Sequence, residues 1–238
     1  MAETVYIKVP PGHEEKKRKF RERSFSFLML SIGVATVAFA AWPLLTWQFV
    51  TLPKLTAKVE EFPVPAGKVI SQGSVAGANI QVVQEQDGFS YFVTDFQPQG
   101  KRPQEFLISI PKLEIEKAKV KVDAVKFDKY LALFPGSAIP GDVGNSFITG
   151  HSILPQFADP TNYKAIFTEL PKLEIGDEVL VNLDDKTIRF VVQYSKVVEP
   201  DDLSVLGPIT QNGRNLTLMT CVPPGTNTKR LVVVASLL

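Results

Sequence analysis

Residues 215–238 read NLTLMTCVPPGTNTKRLVVVASLL and contain two strand-like runs around a turn. Residues 215–220 and 230–237 are rich in β-branched and other apolar side chains, which predicts two β-strands. The Pro and Gly residues between them predict a turn. Cys221 follows the first run and Arg230 begins the second, so antiparallel pairing of the strands brings these two residues face to face.

The preceding part of the chain has the same β character. Asp184-Asp185 predicts a hairpin between two strands. Two segments have a helical period, 127–134 and 161–170, and a single helical turn is predicted at 200–206. About eight short strands separated by turns predict a mainly β domain, either a barrel or a sandwich. The strands predicted between residues 105 and 215 are 105–110, 119–125, 146–150, 177–183 and 188–198.

The N-terminal part of the chain carries a membrane signal. Residues 16–23, KKRKFRER, hold six cations in eight positions, and residues 24–53 contain no charged side chain. Because about 20 apolar residues span a bilayer, 24–53 are predicted to form a transmembrane signal-anchor helix with Trp42 and Trp47 near its far interface. The basic flank of a span stays cytoplasmic, which makes residues 1–23 a cytoplasmic tail and places the following domain outside the cell.

Two other interpretations of residues 24–53 stay open. A cleaved signal peptide has a shorter apolar region that ends in small residues, and AFAA at residues 38–41 resembles such a cleavage site. The apolar run continues beyond that site to residue 53, which favours an uncleaved anchor. A buried core helix fits less well, because the uncharged run directly follows a cationic cluster.

Residues 54–104 are predicted to be an extracellular linker, since they begin with a segment rich in Pro, Gly and Ala. Within this linker, residues 79–96 predict two short strands around Asp87-Gly88. This hairpin is expected to join the main domain or to form a flap over it. The main domain then spans residues 105–238. The net charge of the whole chain is only +1, which argues against a nucleic-acid partner.

Cys221 is the only cysteine in the chain. Outside the cell, such a cysteine is an intermolecular disulfide partner, a reactive thiol or a small buried side chain. Of the two histidines, His13 precedes the predicted span, so only His151 lies on the same side of the membrane as Cys221. A nearby imidazole activates a thiol, and the cation of Arg230 suits an oxyanion. Together the three residues favour acyl transfer, although each alone also fits a structural role.

These residues lie in segments that resemble, in order, those of the sortases, the membrane-anchored cysteine transpeptidases of the bacterial cell surface. The resemblance covers residues 105–238 and extends to the basic and apolar N-terminus. It implies a sortase-like eight-stranded β-barrel with short helices, preceded by one N-terminal transmembrane helix. The segments are ISIPKLEI (108–115), FPGSAIPGDVGNSFITGHS (134–152), IFTELPKLEIGDEVLV (166–181), VVEPDDLSVL (197–206), LTLMTC (216–221) and TKRLVVVA (228–235).

The resemblance implies that residues 105–238 form the catalytic domain. Within it, Cys221 is implied to be the nucleophile, His151 the general acid and base, and Arg230 the cation that stabilises the oxyanion, with Thr220 in a supporting role. The implied substrates are secreted proteins that carry a C-terminal, LPXTG-like sorting signal. The implied acceptor is an amine of a peptidoglycan precursor or of a pilin lysine. The chemistry requires no cofactor.

Two details concern the sortase class and metal binding. The short Cys-to-Arg spacing, with Pro223 and Gly225 inside it, is closer to the pilin-polymerising and related classes than to the housekeeping class. Asp95-Phe96 resembles a lid motif of pilin-type members, but a loop acid beside a core aromatic is the favoured interpretation. Some sortases bind calcium through loop acids. The candidates in this chain, which fit solvated turn residues better, are Asp142, Asp159, Asp201 and Asp202.

Two other functions stay open. A thiol peptidase of the same fold would release the acyl group to water, and the sequence does not separate it from a transpeptidase. A non-enzymatic, membrane-tethered β-barrel that binds surface partners would not require Cys221, His151 and Arg230 together. The predicted location is the cell membrane, with a single span, a cytoplasmic N-terminus and an extracellular domain.

Overall fold

The computed structural model describes residues 13–53, 80–84, 90–95, 101–207 and 212–238. The chain divides into two compact units, Met1–Leu45 and Thr46–Leu238.

A single long helix, α1, spans His13–Thr46 and is followed by a short π-helix, Trp47–Thr51. In the described part of the chain, Glu22–Thr51 is the one helical stretch long and apolar enough to cross a membrane, with a mean hydropathy of 2.0. Its apolar side chains, such as Phe25 and Phe27, are exposed. These properties fit the predicted membrane anchor, and they equally fit a signal sequence.

The second unit contains a closed barrel. Along the described chain the strands are β1 (Ile80–Gln84), β2 (Ser90–Thr94), β3 (Glu105–Ile110), β4 (Ile115–Lys121), β5 (Leu131–Leu133), β6 (Gly144–Thr149), β7 (Glu178–Leu183), β8 (Lys186–Val198), β9 (Arg214–Val222) and β10 (Lys229–Leu237). The barrel closes in the order β10-β8-β7-β3-β4-β5-β6-β9. Its β4–β5 and β6–β9 pairs are parallel, and the other adjacent pairs are antiparallel. The predicted mainly β fold, an eight-stranded barrel after an apolar N-terminal helix, is confirmed.

Local sequence chemistry explains the connections between several strands. The predicted hairpin between β7 and β8 is confirmed, and Asp184 and Asp185 have φ angles of 48° and 59°. Short polar side chains such as Asp tolerate this left-handed conformation, which suits tight hairpins. The helical turn predicted at 200–206 is a 3₁₀-helix, Leu203–Leu206, in which Asp202 caps the N–H of Ser204.

The two predicted helices at 127–134 and 161–170 are wrong. The first segment contains β5, whose residues pair with β4 and β6 and are buried on both faces, so its apolar run does not alternate. The second segment forms successive turns in which N–H groups bond three residues back, as from Ala165 to Asn162. The N–H of Phe167 donates to the carbonyl oxygen of His151 and not to a helical partner. The strand predicted at 119–125 occurs earlier, as β4.

Strands β9 and β10 are buried on both faces. On the barrel interior, residues such as Leu218 and Val233 belong to the main hydrophobic core. On the outer face, Met219 and Val232 belong to a second cluster. Because alternate residues of a strand share a face, Cys221 lies on this outer face together with Met219.

The second cluster contains residues from two further parts of the chain. Strands β1 and β2 form the predicted hairpin, and the Phe92 ring lies 6.2 Å from that of Phe134 and 6.0 Å from that of Phe147. Leu203–Leu206 also contributes to this cluster. The predicted strand pair is therefore confirmed, whereas its turn, Asp87-Gly88, and Phe96 lie outside the described residues. A flap function of the hairpin stays a prediction.

Asn145 in β6 fixes Leu203–Leu206 against the barrel. Its buried side-chain amide donates to the carbonyl oxygens of Val205 and Leu206 at 3.1 and 3.3 Å. Its side-chain oxygen accepts a hydrogen bond from the Thr217 hydroxyl at 2.7 Å. A buried amide with these partners holds the 3₁₀-helix over β6 and β9.

Candidate active site

The pairing of β9 with β10 places Cys221 directly opposite Arg230. The two strands are antiparallel, so the loop between them returns the chain to the same rim of the barrel. The prediction that these two residues face each other is confirmed. A buried thiol and a buried cation therefore lie next to each other on the outer face of the sheet.

The parallel pairing of β6 with β9 brings His151 to the same rim. In this register Thr149 lies opposite Met219, and the N–H of Gly150 donates to the carbonyl oxygen of Met219. The next residue is His151, whose carbonyl oxygen accepts the N–H of Phe167 at 3.0 Å. The strand that leads to His151 and the strand that carries Cys221 are therefore neighbours in one sheet.

Two hydroxyl groups tie the His151 turn to the Cys221 strand. The Thr220 hydroxyl donates to the carbonyl oxygen of Gly150 at 2.8 Å, and the Ser152 hydroxyl donates to the carbonyl oxygen of Cys221 at 2.6 Å. These hydrogen bonds cross between the two segments in opposite directions. They fix the backbone on both sides of His151 relative to the thiol.

The turn that carries His151 requires a glycine at position 150. A Cβ atom on Gly150 would lie 2.5 Å from Cδ2 of Leu131 and 2.6 Å from Cδ2 of Phe167. Both neighbours are completely buried, so they have little room to move. The absence of a side chain therefore allows the chain to leave β6 against the core and to present His151 at the rim.

Arg230 is held by the loop that precedes it. Its Nη1 donates to the carbonyl oxygens of Asn227 and Lys229 at 2.9 and 3.1 Å, and the residue is 2% exposed. The direction of the guanidinium is thus set by the backbone beside Cys221. A rigid buried cation at this position suits the stabilisation of a negative charge that develops next to the thiol.

The electrostatic environment of Cys221 has two opposing parts. Burial raises the pKa of the thiol, because the thiolate is poorly solvated there, and the positive charge of Arg230 partly opposes this effect. The net direction is upward. Cys221 is therefore mostly a neutral thiol near pH 7, and its thiolate is a minority species.

The raised pKa of Cys221 predicts a slow and strongly pH-dependent alkylation. We expect the rate of iodoacetamide modification of the full chain to rise with pH and to reach half its maximum above the ordinary thiol pKa of about 8.5. In Arg230→Met the half-maximal pH is expected to be higher still, because the opposing positive charge is lost. Mass spectrometry of Cys221 measures both rates. A midpoint near 7 would contradict the effect of burial.

His151 lies against residues 127 and 128. Its Nε2 donates to Oδ1 of Asp128 at 3.2 Å, and its ring centroid lies 4.2 Å from that of Phe127. The His151 side chain is 22% exposed and that of Asp128 is 60% exposed. The imidazole therefore contacts an apolar ring and a solvated carboxylate.

Two cavities share Cys221. One is a narrow cleft of about 20 Å³, about enough for one water, that reaches Arg230 between mostly apolar side chains. Its aromatic walls are Phe92, Phe127, Phe134 and Phe147. The other is an open groove of about 450 Å³ on the side of His151, Asp128 and Lys164. Cys221 thus lines both an apolar cleft and a polar groove.

The four loop aspartates named as calcium candidates are not brought together. No group of three His, Cys, Asp or Glu side chains in the described residues is arranged as a metal site. The Asp159 carboxylate instead accepts hydrogen bonds from the N–H and hydroxyl groups of Thr161, which lower its pKa.

A family model described as "Sortase domain" matches residues 108–238. The chain belongs to the sortase family. The predicted resemblance is confirmed, and membership of this family implies a cysteine transpeptidase. No curated protein matches the chain.

Several solved sortases are similar to this chain. Sortase C1 from Streptococcus agalactiae is 32% identical, and the match covers 56% of this chain and 66% of that chain with a TM-score of 0.49. A lid mutant of sortase A from Corynebacterium diphtheriae is 28% identical, with coverages of 59% and 73% and a TM-score of 0.49. The sortase D5 transpeptidase from Clostridium perfringens is 24% identical, with coverages of 57% and 79% and a TM-score of 0.48.

Two polar residues that contact the Cys221 and His151 segments are not predicted from the sequence. Ser152 acts through a hydrogen bond to the carbonyl oxygen of Cys221, which is distant in the chain. Asp128 is one of many exposed acids, and only its contact with His151 distinguishes it. The adjacency of Ser152 to the predicted histidine is the one available signal.

Proposed function

We propose that this sortase is a cysteine transpeptidase that cleaves an LPXTG-like sorting signal of secreted proteins and transfers the acyl group to an amine. The observation that carries this proposal is the cross-strand pair of Cys221 and Arg230. His151 supports it, since it lines the same groove as the thiol. Nucleophile, fixed cation and proton carrier are the groups that acyl transfer through a covalent intermediate requires.

In the first half-reaction, the thiolate of Cys221 attacks the carbonyl carbon of the Thr residue in the signal, so that the peptide bond after this Thr is cleaved. The carbonyl electrons move onto oxygen, and the guanidinium of Arg230 stabilises the resulting oxyanion. The intermediate collapses, the C–N bond breaks, and His151 donates a proton to the departing amine. The products are a thioacyl enzyme on Cys221 and the C-terminal fragment of the substrate.

In the second half-reaction, an amine of a peptidoglycan precursor or a pilin lysine attacks the thioacyl carbon. His151, now neutral, accepts the proton that this amine loses. The C–S bond breaks, the thiolate leaves, and a new amide bond joins the two substrates. The enzyme then returns to its starting protonation state, so no oxidant, metal or cofactor takes part.

Thr220 has a supporting role in this proposal. Its hydroxyl donates to the carbonyl oxygen of Gly150, directly before His151. This contact favours a role in placing the imidazole over direct donation to the oxyanion.

The proposed location follows from the N-terminal region. We place residues 1–23 in the cytoplasm, 24–53 across the membrane, 54–104 outside as a linker with a hairpin, and 105–238 outside as the catalytic domain. The long apolar helix behind a basic cluster supports this arrangement. The membrane then holds the site at the surface where secreted substrates emerge.

A peptide assay tests the proposed function. Full-length protein in detergent micelles is mixed with a library of fluorogenic LPXTG-type peptides, with and without triglycine as the amine. We expect cleavage, a thioacyl adduct on Cys221 by mass spectrometry, and a ligated product when triglycine is present. Cleavage that never yields ligated product with triglycine or other primary amines would indicate a thiol peptidase. An absence of both cleavage and adduct would indicate a binding module.

A further inference from the structure

Asp128 and Phe127 contact His151 in two different ways. The Phe127 ring packs against the imidazole with an interplanar angle of 40°, and the Asp128 carboxylate accepts a hydrogen bond from Nε2. The backbone of His151 is fixed separately, through its carbonyl oxygen and through Gly150. Together these contacts restrain both the position and the orientation of the ring.

The charged groups around the imidazole come from three parts of the chain. Within the polar groove, the titratable side chains beside His151 are Asp128, Lys164 and Cys221. The Nε2 atom of His151 donates a hydrogen bond to the Asp128 carboxylate at 3.2 Å. Cys221 is mostly uncharged near neutral pH, so the fixed charges that line this groove are the Asp128 carboxylate and the Lys164 ammonium. The Arg230 guanidinium lines the cleft that shares Cys221 with this groove.

We infer that Asp128 is a positioning residue of the proposed reaction, which orients the imidazole of His151 and favours the protonated ring that delivers a proton to the leaving amine. This inference rests on the proposed function. A carboxylate within hydrogen-bond distance stabilises imidazolium relative to imidazole. Because the carboxylate is 60% exposed, water screens the interaction and the effect is moderate.

The high pKa of Cys221 makes this contribution measurable. The reactive form contains thiolate and imidazolium together, and burial keeps most of the thiol neutral near pH 7. The reactive form is therefore a minority of the enzyme. If His151 binds its proton less tightly, the fraction of enzyme in the reactive form falls by the same factor. The acid limb of the pH–rate profile, where activity rises with pH, then shifts to lower pH.

The variant Asp128→Asn removes the charge and keeps the shape. For the cleaved fluorogenic peptide, we expect the midpoint of the acid limb of the kcat/KM profile to shift to lower pH by about 0.3 to 1 unit. The maximal kcat/KM is expected to fall by the matching factor, about 2 to 10. If Asp128 had only a structural role, Asp128→Asn would lower kcat/KM without changing the pH of the acid limb.

A second measurement does not depend on catalysis. The chain has only one other histidine, so NMR of ¹³C-labelled histidine rings in a His13→Gln background follows His151 alone in the full-length protein. Its titration midpoint is expected to fall by the same 0.3 to 1 unit in Asp128→Asn. If the wild-type chain cleaves no peptide, the proposed function fails, while this titration still tests the contact between Asp128 and His151.

Two matched variants serve as controls. Asp128→Glu keeps a carboxylate and is expected to retain most of the acid limb position. Asp185→Asn removes an exposed charge in the β7–β8 turn, at the end of β8 opposite to the one that pairs with Arg230, and is expected to change neither limb nor midpoint. Circular dichroism of each variant checks that the fold is intact. An unchanged His151 midpoint in Asp128→Asn, or an equal shift in Asp185→Asn, would overturn the inference.

Discussion

Replacing Cys221 with alanine is expected to lower peptide cleavage by at least a thousandfold and to remove the thioacyl adduct completely. The reason is chemical, because alanine offers no atom that can form the covalent intermediate. The fold is expected to survive, since the change removes a single buried sulfur atom and leaves a small cavity. Steady-state cleavage, intact-protein mass spectrometry and thermal unfolding measure these outcomes.

Cys221→Ser is the matched control for this prediction. It keeps a hydroxyl nucleophile of similar size, but a serine hydroxyl ionises far less readily than a thiol. We therefore expect Cys221→Ser to be nearly as inactive as Cys221→Ala. Met219→Leu replaces a buried side chain on the same face of β9 and leaves Cys221 itself unchanged. Its cleavage activity is expected to remain within about tenfold of wild type. Cleavage by Cys221→Ala above a hundredth of the wild-type rate would exclude a thioacyl mechanism.

The sequence predicts the Cys221 and Arg230 pair because the two residues belong to strands that are adjacent in the chain. A short loop between two strands predicts antiparallel pairing, and the register follows from the position of the turn. His151 is predicted by elimination, because the other histidine, His13, precedes the predicted membrane span. Its proximity to Cys221 depends on a parallel pair of strands 70 positions apart, which no local pattern specifies.

The error at residues 127–134 explains why Asp128 is not predicted. The large apolar residues at positions 127, 130, 131 and 134 have the spacing of a helix, although the strand β5 contains only Leu131–Leu133. On a helix, Asp128 would be an ordinary solvated acid. In the structure this segment leads into β5 beside β6, and that pairing brings residues 127 and 128 to the imidazole.

The sequence pattern also does not predict that Arg230 is buried. An arginine at the start of a strand usually lies at a solvated edge, and its pairing with a surface acid is the ordinary expectation. Here the outer face of β10 is covered by Leu203–Leu206 and by the hairpin that carries Phe92. Both segments are distant in sequence, so the depth of the guanidinium follows from tertiary packing alone.

Arg230→Lys is expected to keep the positive charge and to lose about 99% of the activity. The guanidinium is planar and has five N–H donors, so it can bind the carbonyl oxygens of Asn227 and Lys229 while directing other donors elsewhere. The lysine ammonium is more strongly hydrated and lacks a rigid, planar set of N–H donors, so it does not reproduce this geometry in a buried site. Loss of an aligned oxyanion donor lowers kcat by about 10² to 10³.

Alkylation of Cys221 separates charge from geometry in this variant. Since lysine keeps a cation near the thiol, Arg230→Lys is expected to leave the alkylation midpoint close to that of wild type, whereas Arg230→Met raises it. The peptide assay should nevertheless show that both variants are severely impaired, with the loss mainly in kcat. This combination assigns the defect to the planar arrangement of donors around the oxyanion and not to the state of the thiol. Near-normal turnover by Arg230→Lys would instead show that a positive charge alone is sufficient at this position.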